Sequence, residues 1–314
     1  MLKLKVLNFL DTYGAKSGGY IAGNLGVSRT AVWKAVNELC FDGFSIDKTK
    51  DGYLLSDSNL PVFEGQLVRI LKGYDLHFFN TLPSTNLTAK ALADKGASEK
   101  TVVLALEQTC GRGRLSRSFY SPLGGAYLSV VLRPNLSPEN TVLITTAAAV
   151  AAARVIERFS KKTAQIKWVN DIYVDSKKVC GILTEGAFSA ETQSLDYAVL
   201  GIGFNLFGDK ALLPDDIKNT ADFIFDKRPS SLKFSNFLKA FLDEFFALYK
   251  TIEQKEYLGE YNSRSYLYGK EITYLKDGVL HTAKALETDQ NAHLLVEEDG
   301  RILSLFSGEV SVKC

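Results

Sequence analysis

The sequence predicts an α+β chain in three parts: an N-terminal winged helix–turn–helix, a central mixed α/β domain and a C-terminal SH3-like β-barrel. Three observations predict it. Residues 1–60 read as helix, helix–turn–helix and hairpin, in that order. The following stretch alternates helical periodicity with short apolar strands. After Tyr268 the chain changes to short strands broken by Asp-Gly turns. Domains are therefore expected over 1–61, 62–266 and 267–314.

Bulk properties agree with this division. A chain of 314 residues favours two or three domains, and 46% hydrophobic with 23% charged residues is enough to bury a core. The net charge of +1 gives no global field toward a polyanion. Cys40, Cys110, Cys180 and Cys314 form no CxxC pair, so neither zinc nor a disulfide framework is suggested. Free thiols fit a reducing compartment. The N-terminus lacks a signal-peptide apolar core, and the apolar run Thr141–Ala153 is too short to span a bilayer. A cytoplasmic protein without membrane attachment is expected.

In the first part, Val6, Phe9, Leu10 and Tyr13 recur at helical spacing. A short helix fits Tyr20–Leu25, and Gly26-Val27-Ser28 makes a tight turn with Ser28 capping a third helix. Gly43 stops that helix, Phe44–Ile46 and Tyr53–Leu55 make a hairpin, and Pro61 closes the module. The third helix presents Arg29, Thr30, Trp33, Lys34 and Asn37 beside Ser28, side chains suited to phosphates and base edges in a major groove. Residues 1–60 hold seven Lys plus Arg against six Asp plus Glu, so affinity for DNA would come from placement and dimerisation. The alternative is a winged helix used for protein contacts.

In the central part, Ser84 or Thr85 can cap a helix over Leu87–Lys95 that Gly96 stops. Ser84-Thr85-Asn86 is equally a cluster of small polar groups able to hold a polar ligand head. Strands are expected at Thr101–Glu107 and Tyr127–Leu132, and a long helix at Thr141–Phe159. Gln165–Val174 and Val179–Glu185 read as two strands around a polar turn, gathering Lys167, Asn170, Asp171 and Lys178. In the strand Tyr197–Asn205, Gly201 and Gly203 suggest close backbone approach. The helix Leu232–Tyr249 reads as packing. In the last part, strands fit Glu271–Leu275, Val279–Ala285, Leu294–Val296 and Ile302–Leu305. With about fifty residues this part is too small to stand alone, and it is expected to pack on the central one.

Between the first two central strands lies Gln108-Thr-Cys-Gly-Arg112-Gly113-Arg114-Leu-Ser-Arg117. Arginine forks match phosphate and carboxylate geometry, and the glycines let the main chain come close to a ligand. The candidate site thus holds the cations Arg112, Arg114, Lys167 and Lys178, the acid Asp171, and several amides and hydroxyls. It has no nucleophile–base pair, and His77, His281 and His293 lie far from it in sequence. Such a site suits a reaction in which the substrate itself attacks a phosphate, while the protein positions groups and neutralises charge.

Gly-Arg-Gly-Arg, Lys-Trp-Val-Asn-Asp, Lys-Val-Cys-Gly-Ile-Leu-Thr-Glu and Gly-Ile-Gly-Phe-Asn, in this order and spacing, resemble the biotin protein ligases. With the winged helix ahead of them, the chain resembles the bifunctional bacterial members that also repress the biotin operon. The resemblance covers essentially the whole chain. It implies a central domain of the biotin/lipoate ligase type, which makes biotinyl-5′-AMP from biotin and ATP with Mg2+. It further implies transfer of biotin to a lysine of the biotin carboxyl carrier protein. Biotinyl-5′-AMP would act as corepressor on operator DNA, bound by a homodimer.

The resemblance assigns biotin binding to Ser84, Thr85, Asn86, Gln108, Arg112, Gly113, Arg114 and Lys178. It assigns the nucleotide to Phe119, Lys167, Asn170, Asp171 and Asn205, with Asp171 a weak candidate for the metal. Arg114, Lys178 and Lys167 would act in catalysis. Three departures stand out. Leu115-Ser116-Arg117 replaces the usual Arg-Gly-Arg, Val169 a common proline, and Phe119 a common tryptophan. Alternatives are a ligase without repression, a lipoate or octanoate ligase, and a non-catalytic sensor.

Overall fold

The computed structural model describes residues 2–41, 44, 46–55, 64–189, 194–227, 229, 231–276, 278–306, 308 and 310–312. Gly43 and Pro61, expected as a helix stop and a linker, lie outside them. The chain divides into two compact units: residues up to 72 with 227–239, and 73–226 with the residues from 240 on.

In the first unit, α1 (Leu2–Tyr13), α2 (Gly18–Leu25) and α3 (Arg29–Phe41) enclose a core of Val6, Leu10, Ile21, Val32, Val36 and Leu39. The caps work as local chemistry requires. Ser17 accepts from the Tyr20 N–H and Ser28 from the Ala31 N–H, while Gly26 ends α2 in the left-handed region at φ 65°. Strands β1 (Ile46–Thr49) and β2 (Gly52–Leu55) form the hairpin. The first strand thus starts where Phe44–Ile46 was expected to end. It runs on toward the turn because its register with β2 extends to Thr49 opposite Gly52. Lys16 pairs on the outer side of Tyr53, adding a further bridge to the wing. Gly52 is required there: its φ is 121° and a Cβ would lie 2.2 Å from the Lys16 carbonyl oxygen. A helix α4 (Glu64–Ile70) follows, which the sequence did not announce.

The second unit is built on seven strands: β3 (Asp75–Leu82), β4 (Thr101–Gln108), β5 (Ala126–Leu132), β6 (Gln165–Lys167), β7 (Asp171–Val174), β8 (Lys177–Ser189) and β9 (Ser194–Phe204). Their order is β3-β4-β5-β9-β8-β7-β6, parallel only between β3 and β4. Helix α5 (Thr85–Asp94) sets Ala89 and Ala93 on Val103, Val131 and Val199, on one face of the sheet. Helix α6 (Thr141–Ser160) covers the opposite face, where Thr145 meets Thr184. Helix α7 (Ser231–Tyr249) joins that side from Ala240 on, with the Phe241 ring 5.3 Å from that of Phe204.

Two expectations are corrected here. The single strand Gln165–Val174 is two, folded back on each other with Ile166 opposite Ile172. Tertiary contacts hold the reversal: the Trp168 indole N–H donates to the Ala292 carbonyl, and the Tyr261 hydroxyl to that of Val169. Ser84 stands at the N-cap of α5 without capping it. The first N–H of the helix, that of Thr85, is satisfied from outside it, by Gln108 Oε1 at 2.8 Å.

The helix α8 (Leu258–Ser263) leads into β10 (Glu271–Lys276), β11 (Val279–Thr288), β12 (Leu294–Glu298), β13 (Arg301–Leu305) and β14 (Val310–Val312). These form a five-stranded antiparallel sheet in the order β13-β12-β11-β10-β14. An ionic network ties α8 to α6. Arg154 bonds Glu260 and Glu244, and Arg264 bonds Glu157 and Glu260 at 2.9 Å. Among the described residues no helix is long and apolar enough to cross a membrane.

Candidate active site

Strand register decides where the cavity lies. Ser129 pairs with Gly201, Tyr127 with Gly203, and Gly203 with Gly181, so all five share the face that carries α5. Beside the N-terminal start of α5, three glycines leave this face without side chains. A cavity of about 670 Å³ opens there, a size suited to a small-molecule ligand.

At one end, Ser84, Thr85 and Asn86 at the start of α5 meet Gln108 at the end of β4. Ser84, Thr85 and Asn86 are all buried. The Thr85 hydroxyl lies 3.1 Å from Gln108 Oε1, and Gln108 Nε2 donates to Ser121 at 3.0 Å. Asn86 presses on the sheet: a Cβ at residue 201 would stand 2.0 Å from its Oδ1.

The arginine loop forms the roof. It closes on itself, with the Phe119 N–H bonded to the Gly111 carbonyl and the Gly113 N–H to that of Arg117. Leu115 and Ser116, at its tip, both lie in the left-handed region, at φ 54° and 61°. For side-chain-bearing residues this is strained backbone. Arg112, Gly113 and Arg114 line the cavity, and Arg114 reaches across it to Asn170 Oδ1 at 3.3 Å. The Phe119 ring lies on the glycine pair, where a Cβ at 203 would come within 2.4 Å of it and one at 181 within 2.8 Å. Tyr127 supports it edge-on from below.

The far wall carries the charge. Lys178 Nζ is 2.8 Å from Asp171 Oδ1 and 5.5 Å from the centre of the Phe119 ring. Lys167 stands opposite Asp171 in the backbone register of β6 and β7, and its Nζ sits 5.7 Å over the Tyr173 ring. Asn170 donates to the Ile182 carbonyl. Lys178 is also held through its backbone, exchanging bonds with Thr220 and Asp222. That places Asp216, Ile217 and Thr220 on the cavity wall.

The structure therefore gathers Ser84, Thr85, Asn86, Gln108, Arg112, Gly113, Arg114, Phe119, Lys167, Asn170, Asp171 and Lys178 around one space. Asn205 is not on that wall. Its amide donates to the Asp222 carbonyl and so braces the segment behind Lys178. Sequence reasoning missed Asp216, Ile217 and Thr220, which carry no local motif. It also passed over Ser129 and Glu185, whose signal was a polar residue inside an apolar strand.

In the first unit, Ser28, ahead of α3, and Arg29, Thr30, Trp33, Lys34 and Asn37, on it, are all exposed. Arg29, Thr30 and Trp33 share a shallow groove with Lys48 and Lys50 of the wing. Those two lysines add cations that the helix alone did not reveal.

Residues 78–205 match the biotin/lipoate A/B protein ligase family, and residues 3–54 match an HTH domain. The chain is 38% identical over 211 residues to the bifunctional ligase/repressor BirA of Bacillus subtilis. That match covers 65% of this chain and 64% of the Bacillus protein's length. It is 24% identical over 317 residues to the Escherichia coli protein of the same name, covering 99% of this chain and 97% of that one. Its fold is similar to that of the biotin protein ligase from Aquifex aeolicus in complex with biotin and ATP. The TM-score there is 0.62 at 25% identity, over 76% of this chain and 98% of that one.

Cys180 lies buried behind the charged wall. Burial raises its thiol pKa, Asp171 adds to the rise, and Lys178 opposes it. Iodoacetamide labelling of the native protein at pH 8, mapped by mass spectrometry, is expected to modify the exposed Cys40 and Cys110 and spare Cys180. Rapid labelling of Cys180 would contradict this packing.

Proposed function

We propose that the chain is a member of the biotin/lipoate A/B protein ligase family, whose model its residues 78–205 match, and that it activates biotin with ATP and transfers it to a lysine of the biotin carboxyl carrier protein. The observation that carries the reading is the meeting of two kinds of group in one cavity. A neutral hydrogen-bonding head lies at Thr85 and Gln108, and a cluster of cations lies around Lys178.

Biotin's carboxylate attacks the α-phosphate of ATP, the bond to pyrophosphate breaks, and biotinyl-5′-AMP forms. The carrier's lysine amine then attacks the anhydride carbonyl, and AMP leaves. Charge builds on the phosphate oxygens during the first step, and Lys178, Arg114 and Lys167 offset it. Ser84, Thr85, Asn86, Gln108, Arg112 and Gly113 hold biotin, while Phe119, Lys167, Asn170 and Asp171 face the nucleotide. Asn205 acts from behind, through the segment at Asp222.

Magnesium fits this wall poorly as a protein-held ion. Asp171 is already paired with Lys178, and no group of three His, Cys, Asp or Glu residues is set to hold a metal among the described residues. Mg2+ belongs with the ATP phosphates.

The domain division over 1–61, 62–266 and 267–314 is kept as part of this reading, as is action in the cytoplasm. The exposed α3 face, flanked by Lys48 and Lys50, is read as the operator-binding surface of a homodimer. Biotinyl-5′-AMP orders the arginine loop and so favours dimerisation, linking biotin supply to repression.

Biotin-dependent ATP–pyrophosphate exchange tests the ligase reading. Lys178→Ala is expected to lose about 100-fold or more of the rate. Arg114→Gly is expected to make the adenylate but release it. Unchanged turnover in both would refute the assignment of these roles. Sedimentation with and without the adenylate tests the linkage, and equal dimerisation constants would refute it.

A further inference from the structure

The exposed face of α3 is polar except at its centre. Arg29, Thr30, Lys34 and Asn37 all carry hydrogen-bonding groups. Trp33, one turn after Arg29 and one turn before Asn37, is an indole left 47% exposed. A side chain of this size is usually buried over most of its surface. Trp33 lines two shallow grooves at once. One runs to the wing, and the other lies beside Lys34 and Asn37 toward Lys3 of α1. The indole is therefore the ridge between them.

Cations stand on both sides of this ridge. The wing-side groove gathers Arg29, Lys48 and Lys50, with no acid in its described lining. Arg29 leans on the first turn of α2, its Nε 3.6 Å from where a Cβ on Gly19 would stand. The other groove holds Lys3 and Lys34 with Glu38. An apolar ridge between cations complements a duplex groove, whose phosphate rims flank a floor of base edges.

Base chemistry decides what the indole meets on that floor. In the major groove every base edge shows donors or acceptors, and only thymine adds an apolar group, its 5-methyl. The arginine, lysine, threonine and asparagine of α3 answer to donors, acceptors and phosphates. The indole face gains by covering a methyl group and gains little over a polar edge. We propose that Trp33 is a specificity-determining residue that reads a thymine 5-methyl group in each half-site of the bound duplex, while Arg29, Lys48 and Lys50 take phosphates. The proposal rests on the reading of α3 as the operator-binding surface.

The test starts from duplexes that the full chain, with biotin, ATP and Mg2+, selects from a random-sequence pool. One selected duplex is resynthesised with each thymine in turn replaced by deoxyuridine, which removes the methyl group alone. Affinities are read by fluorescence anisotropy. The wild type is expected to lose about fourfold at one thymine in each half-site. Trp33→Ala should bind the thymine duplex about fourfold or more weakly and treat thymine and deoxyuridine alike there. Trp33→Phe keeps an apolar ring and should keep the preference. Lys34→Ala should weaken both forms equally and flatten the salt dependence. The deoxyuridine scan on the wild type needs no variant, so it tests the proposal whether or not Trp33→Ala folds. A wild type that tolerates deoxyuridine at every position overturns the proposal and leaves the operator reading standing. A methyl preference kept in Trp33→Ala does the same. A wild type that selects no sequence removes both.

Discussion

Everything at the site depends on a stretch of sheet that carries no side chains. Gly181, Gly201 and Gly203 lie on neighbouring strands and face the same way. Any Cβ there would collide with the Asn86 amide or the Phe119 ring. Helix α5 covers the rest of that face with Ala89 and Ala93 on a valine floor, and α6 covers the other. The cavity is thus the part of a well-packed sheet where packing is deliberately absent. Its floor is backbone, so the groups that select a ligand must come from the rims.

The two rims do different work. At one, neutral groups are buried and their hydrogen bonds are almost fully accounted for, which makes them rigid and selective. At the other, Lys178 and Asp171 remain partly open to solvent and form a contact pair. The Lys178 backbone is pinned by the segment at Thr220–Asp222, and the Arg114 guanidinium is bonded to Asn170. Charge is therefore placed in advance of the reaction, the condition under which electrostatic stabilisation is most effective. The arginine loop between the rims has strained backbone at Leu115 and Ser116, where a glycine would rest without cost.

Much of this was legible in the sequence wherever the determinant was local. Gly26 and Ser28 act as a stop and a cap because their backbone chemistry needs only their neighbours. The arginine loop and the hairpin of β7 and β8 around Asp175-Ser176 were recognisable for the same reason. The misses share a different cause. The reversal at Trp168–Asn170 is held by Ala292 and Tyr261, about ninety or more residues away in sequence. Ser84 has the residue type of a cap, yet the bond seen at the start of α5, from the Thr85 N–H to Gln108, comes from another strand. Strand β3 lacks clean alternation because it is a sheet edge. Ser129 and Glu185 gain meaning only when three strands and α5 bring them to Asn86.

The most direct test of the account is native mass spectrometry of the chain after incubation with ATP, Mg2+ and an equimolar mixture of biotin, lipoate and octanoate. The account predicts a retained mass corresponding to biotinyl-5′-AMP alone. Retention of a lipoyl or octanoyl adenylate, or of no adenylate, would contradict it.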